Sequence, residues 1–355
     1  MIGKEHIELM EQRIEKFNQF VMSQDIEKIP VGLFSGKMGL AIYFYHQAGI
    51  NGDNKYRKFA SELIDSIYDQ LHNRLPINIE NGLIGICRGI TYLIENEFIQ
   101  GNPNYILKDL EDKIFSKLYF DCLTKETGQV LRDAKVAIHC ALYFCERLTD
   151  SKLSKINRSL YERIVIKTIN HIETIVISNK TTEPYLFSRF DYFIIIYLEL
   201  ISKVFELGFY NYKVSKVCDE WNELILSSIP LLGSHRLLFA FMLERINRHF
   251  NSRKWEKHIY LLQQNTEIDH VIDIDFRNKN LYVFDGMSGI VYFLNEMGAM
   301  TDYNREKICA KIVSSELWVD FDKSNDIEKL SYIGLMNGLA GVIHTYCQMN
   351  NRLMK

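Results

Sequence analysis

Five short polar residues stand directly before a glycine or alanine that opens an apolar stretch with helical spacing. They are Ser35, Asn81, Asp133, Asp285 and Asn337. Ser, Asn and Asp are the side chains that best cap helix N-termini, so capping alone explains their positions. At the mouth of a pocket, the same side chains and the free N–H groups of the helix starts would bind an anionic or carbonyl group. The sequence leaves both interpretations open.

Basic residues lie beside these polar positions. Arg132 precedes Asp133, and Arg236 lies near the start of another apolar helical stretch. Further charged or titratable residues close to the same positions are Glu80, Arg88, Arg189 and His235. We expect Arg132 and Arg236 to contact a substrate or the carboxylate of a peptide, although a solvated rim would have the same composition.

Two residue sets could hold a metal ion, and each also has a purely structural explanation. The sets are His139, Cys140 and Cys87, on two successive apolar stretches, and His270, Asp273 and Asp275. Cysteines on an apolar helix face usually serve packing, and alternating polar residues usually form a solvated face. The chain has no nucleophile elbow, triad or phosphate-binding loop. Asp133 and Asp285 could form a carboxylate pair of the kind glycosidases use, but the seven-unit repeat described next argues against it.

The polar residues belong to a repeated glycine device. Four copies are clear, in which a Gly-x-x-Gly pair precedes an apolar helical run, and the second glycines are Gly39, Gly85, Gly289 and Gly341. Degenerate copies are centred on residues 137, 191 and 236, so the seven positions are separated by 46, 52, 54, 45, 53 and 52 residues. A fixed period of this size indicates a repeat architecture.

Each device is preceded by an amphipathic helical stretch and followed by a more apolar one. In the stretch from 56 to 73, Phe59, Leu63, Ile67 and Leu71 recur every four residues between charged side chains. Seven such pairs bury both faces only by stacking, and closing the stack removes exposed ends. The sequence therefore predicts an all-α fold, an (α/α)7 toroid with seven inner and seven outer helices, in one domain over residues 1–355.

The segment from 266 to 284 departs from this pattern. Val271, Ile272, Ile274 and Phe276 alternate partly with polar residues, and a second apolar group follows Arg277 to Asn280. Period-two alternation around a polar turn is typical of a hairpin. We predict a small β-hairpin or lid insertion here.

Three stretches resemble the lanthionine synthetase C-like family, whose members include the cyclases that close thioether rings in lanthipeptides. They are Gly32-Leu-Phe-Ser-Gly-Lys-Met-Gly-Leu-Ala41, Glu80-Asn-Gly-Leu-Ile-Gly-Ile-Cys-Arg-Gly-Ile-Thr-Tyr-Leu-Ile94 and Gly334-Leu-Met-Asn-Gly-Leu-Ala-Gly341. The repeat covers almost the whole chain, and the resemblance implies the toroidal fold.

The family's zinc ligands have no counterparts in this sequence. In the catalytic members a Cys precedes the glycine of the fifth unit and a Cys-His pair precedes that of the sixth. Here the two positions read Leu231-Leu232-Gly233 and Phe284-Asp285-Gly286. Leu231, Phe284 and Asp285 cannot supply the thiolate and imidazole donors that such zinc sites use. We therefore expect a zinc-free member with no metal and no cofactor.

Composition limits the partners. The net charge of -3 and the mixed charges give no basic stripe, so we expect no nucleic-acid partner. The longest apolar run, 192–200, is too short to span a bilayer. Seven cysteines without a disulfide-like spacing indicate a reducing compartment. The amino-terminal residues lack the apolar segment of a secretory signal, so we predict a cytoplasmic protein.

Two functions follow from the sequence. The first is binding of a peptide or a partner protein in the central funnel, as part of the modification of ribosomally synthesised peptides. The predicted ligand-binding residues are Ser35, Asn81, Arg132, Asp133, Arg236, Asp285 and Asn337. The alternative is an active enzyme that adds a thioether or related group to a modified peptide, using acid and base groups of the rim or a relocated metal. The sequence leaves enzymatic activity uncertain and identifies no catalytic residue.

Overall fold

The computed structural model of the protein describes residues 4–71, 75–119, 130–179, 186–277 and 279–350. Within these ranges every regular element is a helix, which confirms the predicted all-α class. The helices are α1 (Lys4–Met22), α2 (Lys37–Asn51), α3 (Asn54–Gln70), α4 (Leu83–Glu95), α5 (Pro103–Ile106), α6 (Lys108–Lys117), α7 (Val130–Leu148), α8 (Lys155–Asn179), α9 (Phe193–Leu207), α10 (Asn211–Glu220), α11 (Asn222–Ser227), α12 (Gly233–Phe250), α13 (Arg253–Gln264), α14 (Ile268–His270), α15 (Met287–Glu296), α16 (Asp302–Ser314), α17 (Leu317–Lys323), α18 (Asp326–Lys329) and α19 (Leu339–Met349).

A helix occupies each of the seven device positions, and we call these the device helices. They are α2, α4, α7, α9, α12, α15 and α19. The device helix α2 is buried at every position from Lys37 to Tyr45, as its apolar composition predicts. In contrast α3 buries only one face, which includes Phe59, Leu63 and Ile67, and its opposite face carries charged and polar side chains.

The contacts of the chain group it into two compact units. The first comprises residues 1–102 and 272–355, and the second comprises residues 103–271. In the first unit the device helices pack side by side in the order α15, α19, α2 and α4, and α3 packs against α2. In the second unit α7, α9 and α12 pack in sequence, with α8 against α7 and α13 against α12. The single domain predicted from the sequence stays a prediction.

The β-hairpin predicted over residues 266–284 is wrong for the described residues of this segment. Residues 268–270 form α14, and residues Val271–Asp275 form one turn of π-helix. Val271, Ile272 and Phe276 are buried, whereas Ile274 is exposed, so burial follows a helical period in place of the two-residue period of a strand. The Lys311 ammonium donates to main-chain carbonyl groups at the end of this turn, including those of Asp273 and Phe276, both at 3.3 Å.

Candidate functional site

The four clear devices form loops that main-chain hydrogen bonds join into one continuous series. Each bond uses the residue five positions before the second glycine of a device. Phe284 N–H donates to the carbonyl of Met336 at 3.0 Å, Met336 N–H donates to Phe34 at 2.9 Å, and Phe34 N–H donates to Glu80 at 3.1 Å. The series therefore runs through the sixth, seventh, first and second devices, all in the first unit. Within this unit the last device of the chain is bonded to the first by the same kind of main-chain hydrogen bond that joins devices adjacent in sequence.

The second glycines are required by close contacts inside and between these loops. A Cβ on Gly341 would lie 1.8 Å from the carbonyl oxygen of Leu335 and 2.8 Å from a methyl group of Val283 in the preceding loop. A Cβ on Gly85 would lie 2.1 Å from the carbonyl oxygen of Ile79, in its own loop. At both positions the nearest neighbours are loop atoms, and none of these contacts comes from the body of a neighbouring helix. A backbone oxygen cannot move away as a flexible side chain can.

Replacing Gly341 by leucine should therefore destabilise the protein by about 1 to 3 kcal/mol through overpacking. Gly49 provides a matched control, because it also lies in a device helix and a Cβ there would meet nothing within 4 Å. Gly49→Ala should stabilise the protein by about 0.4 to 1 kcal/mol by restricting the unfolded chain. Chemical denaturation of both variants measures the difference. Equal stabilities for Gly341→Leu and the wild type would show that the contact at Gly341 relaxes without cost.

Four of the predicted polar residues occupy the same place in successive loops of this series, and we call them the polar row. In spatial order they are Asp285, Asn337, Ser35 and Asn81. Each lies one position before the helix N-cap, which is a glycine, and none of the four helices has a side-chain cap bond at its N-cap. The capping interpretation is therefore wrong for these four residues. Their side chains are not committed to helix capping.

The polar row contains one buried polar atom that lacks a partner and one perturbed acid. The Oδ1 atom of Asn337 is buried and accepts no hydrogen bond within the described part of the chain. Asp285 is exposed, but desolvation by the surrounding loop raises the pKa of its carboxyl group, and its own main-chain N–H opposes this shift. The unsatisfied buried acceptor is costly for folding alone, so Asn337 favours a ligand-binding role for this row. The raised pKa of the exposed Asp285 marks a perturbed acid without a comparable folding cost.

The other predicted ligand-binding residues lie in the second unit. Asp133 lies inside the first turn of α7, which begins at Val130, so it does not precede its helix as predicted. Arg132 is exposed in the same turn. Arg236 is engaged locally, because its guanidinium donates to the carbonyl of Pro230 and to Thr266 Oγ1, both at 3.0 Å. Arg236 therefore fastens the segment before α12, and no ligand is needed to explain it.

The two metal-site candidates have local structural explanations. His139 Nε2 lies 2.7 Å from the main-chain oxygen of Phe190, so this ring links α7 to the fourth device loop. Asp273 forms ion pairs with Lys307 at 2.8 Å and with Lys311 at 3.8 Å, which would compete with a cation. Among the residues described, His, Cys, Asp and Glu form no group of three or more that could hold a metal ion.

The positions that correspond to zinc ligands in the resembling family do not form a zinc site. Leu231 is 92% exposed, and the ring of Phe284 packs edge-to-face on Phe34 with centroids 5.6 Å apart. Of Leu231, Phe284 and Asp285, only Asp285 has a side chain that could ligate a metal ion, and it is a single carboxylate. The thiolate and imidazole donor set is absent at these positions, so no zinc chemistry is assigned to them.

A polar cluster that the sequence did not predict lies between three device helices. His46 of α2 and Tyr92 of α4 are hydrogen-bonded, with Nε2 and the hydroxyl oxygen 2.7 Å apart. The rings of His46 and His344, on α19, are edge-to-face with centroids 4.6 Å apart, and Nδ1 of His344 is buried without a partner in the described chain. A repeat signal was available, since His46 and Tyr92 each lie seven residues after the second glycine of a device.

Burial determines the charge state of this cluster. It lowers the pKa of His46 to about 4 and, with a further effect of the His46 charge, that of His344 to about 3. Burial also raises the pKa of Tyr92. At neutral pH both imidazoles and the phenol are therefore uncharged. Such groups donate and accept hydrogen bonds, but imidazoles with these pKa values are weak general bases.

Comparison of the sequence with models of known protein families and with functionally characterised proteins gave no match. In the described ranges, no helix is both long and apolar enough to cross a membrane.

Proposed function

We propose that the protein is a lanthionine synthetase C-like protein without the family zinc site, and that it binds a peptide along the polar row as part of peptide modification. The polar row carries this proposal. Four polar side chains that cap no helix lie at the same repeat position of four loops. Main-chain hydrogen bonds hold these loops against each other. A row fixed in this way is preorganised, which lowers the entropic cost of binding.

The chemistry of the row suits an extended peptide. A peptide unit presents one donor and one acceptor, and the amide side chains of Asn81 and Asn337 each offer both. Ser35 adds a hydroxyl group with the same dual capacity, and Asp285 adds an acceptor. Side chains that match main-chain groups give affinity with little dependence on peptide sequence. The resemblance to a family of peptide-modifying proteins supports the same ligand class.

The closed (α/α)7 toroid stays a prediction, and the contacts of the first unit support it. The seventh device packs on the first through the bond from Met336 to Phe34, and α19 packs on α2. Closing the repeat in this way needs no capping unit at either end. Cytoplasmic location also stays a prediction.

Selection of peptides from a displayed random library tests the binding function, because it requires no assumption about the sequence of the ligand. Wild-type protein is the bait, and a variant carrying Asn81→Ala, Asp285→Ala and Asn337→Ala is the counter-bait. Because these side chains cap no helix, the variant should keep a melting temperature close to that of the wild type. We expect peptides that enrich on the wild type and are lost on the variant. Equal enrichment on both baits would exclude the polar row as the peptide site.

The pair formed by His46 and Tyr92 favours a second candidate, an enzyme that performs acid-base addition chemistry. Proton transfer between an imidazole and a phenol 2.7 Å apart is geometrically possible. The low pKa of His46 argues against efficient general base catalysis at neutral pH, so binding is the stronger proposal. Metal analysis of the purified protein separates the candidates further, because stoichiometric zinc would restore the metal-dependent cyclase hypothesis and contradict a zinc-free protein.

A further inference from the structure

A cavity of about 420 Å³ lies in the first unit among α1, the carboxyl-terminal end of α2, the start of α3 and α19. The lining residues that matter for its chemistry are Glu11, Glu15, Asn18, Gln47, Asp53 and Lys55. Gln47 lies ten residues beyond the start of α2, roughly 15 Å along the helix from the end that carries the polar row. The cavity is therefore separate from the row.

Two buried amides lining this cavity have unused donors. Asn18 and Gln47 are each only 1% exposed, and by bond geometry Nδ2 of Asn18 and Nε2 of Gln47 have no hydrogen-bond partner in the described chain. Burial raises the pKa of the Tyr56 phenol, and Asn18 is near enough to its hydroxyl to oppose that shift, so Gln47 is the clearer of the two unsatisfied donors. The oxygens of both amides are already engaged, because the Tyr43 hydroxyl donates to Asn18 at 2.7 Å and the Asn51 amide donates to Gln47 at 3.5 Å. A buried amide N–H without an acceptor is destabilising. These two groups call for an acceptor oxygen supplied from the cavity.

The rest of the lining favours a positive charge. Three carboxylates, those of Glu11, Glu15 and Asp53, face one ammonium, that of Lys55, which leaves two excess negative charges. Hydrogen bonds from Gln19 and Tyr56 lower the pKa of Glu15, and the main-chain N–H of Lys55 lowers that of Asp53. Both acids are therefore ionised at neutral pH. These charges disfavour an anionic ligand, although the two amide N–H groups by themselves could donate hydrogen bonds to one.

We propose that this cavity binds an amino-terminal peptide residue, or an amino-acid amide, through its α-ammonium group and its adjacent carbonyl oxygen. The ammonium group lies towards the carboxylates, and the carbonyl oxygen accepts from the amides of Asn18 and Gln47. A volume of about 420 Å³ accommodates two or three residues of this kind. This site depends on no contact with the polar row, so either can fail without the other.

Calorimetric titration with alanyl-alanine amide tests the proposal, with N-acetyl-alanyl-alanine amide as the matched uncharged probe. Wild-type protein should bind the free amine saturably and the acetylated probe at least tenfold more weakly. Gln47→Leu should weaken binding about tenfold while the melting temperature of the ligand-free protein is unchanged or higher, since a buried unpartnered amide is removed. Glu15→Gln should also weaken binding several-fold.

The control is Glu8→Gln, on the same helix α1 but outside the cavity lining, where Glu8 pairs with Lys4 at 3.8 Å. It should leave the affinity unchanged, and so should the triple variant of the polar row. Absence of saturable binding to the wild type would overturn the proposal. Equal affinity for the acetylated probe, or unchanged affinity of both Gln47→Leu and Glu15→Gln, would overturn it as well.

Discussion

Glu111→Ala should destabilise the protein by about 3 to 5 kcal/mol, because it would remove the nearest carboxylate of the buried Arg147 and leave only the more distant Asp150, at 3.9 Å, as its anionic partner. Glu111 is 4% exposed and Arg147 is 3% exposed. One oxygen of Glu111 accepts from Arg147 Nε at 2.7 Å and from the Tyr143 hydroxyl at 2.6 Å, and the other accepts from the Tyr161 hydroxyl at 2.5 Å. This one carboxylate thus fastens α6 to α7 and α8.

Chemical denaturation followed by circular dichroism measures this loss. Asp112→Ala is the matched control, since Asp112 is the next residue of α6 and is exposed, and its effect should stay within about 0.5 kcal/mol. The double variant Glu111→Leu with Arg147→Met should recover much of the stability, because it removes both buried charges. A loss below about 1 kcal/mol for Glu111→Ala would mean that water reaches Arg147 and that the network is not a structural centre.

Acidification from pH 7 to pH 5 should destabilise the protein through His46 and His344. Their pKa values in the folded protein, about 4 and about 3, lie below the ordinary value of 6.5. Between those values the unfolded chain binds more protons than the folded one, so stability falls as the pH falls through 6.5 and continues to fall towards the folded pKa values. The linkage relation gives a loss of about 2 kcal/mol for each imidazole over this interval.

Denaturation curves at pH 7, 6 and 5 measure this dependence. His46→Gln should reduce the slope of unfolding free energy against pH, because one titrating group is lost. His6→Gln, at an exposed position of α1, is the control and should leave the slope unchanged. Identical slopes for the wild type and for His46→Gln would show that His46 becomes protonated as easily in the folded protein as in the unfolded chain.

The sequence predicted the helices well because their apolar spacing is regular. It also predicted the place of the device glycines, but it could not show that Leu335 and Ile79 supply the opposing carbonyl oxygens, since those contacts depend on how each loop folds back. The hairpin prediction failed because the apolar pattern of a short segment such as 271–276 is compatible with a strand and with a π-helical turn almost equally well. Only burial distinguishes them.

The spatial grouping of the polar residues was predicted in part, and their ligand-binding role stays a prediction. The repeat register grouped Ser35, Asn81, Asp285 and Asn337 correctly, since residues at equal repeat positions lie in adjacent loops. The sequence assigned Asp133 to the same set by its position in the repeat. The third device has no glycines to mark where its helix begins, and the structure places Asp133 inside α7. His46 and His344 are separated by 298 residues, so their contact became visible only when the seventh device was seen to pack on the first.

Calorimetry with a peptide selected on the wild-type protein tests the binding function of the polar row most directly. The double variant Asn81→Ala with Asn337→Ala removes two amides that cap no helix, and each lost hydrogen bond is worth about 0.5 to 1.5 kcal/mol. The dissociation constant should therefore rise by about fivefold to about a hundredfold. Asn54→Ala, in the exposed first turn of α3, should leave it unchanged. An unaltered dissociation constant for a folded double variant would contradict peptide binding at the polar row.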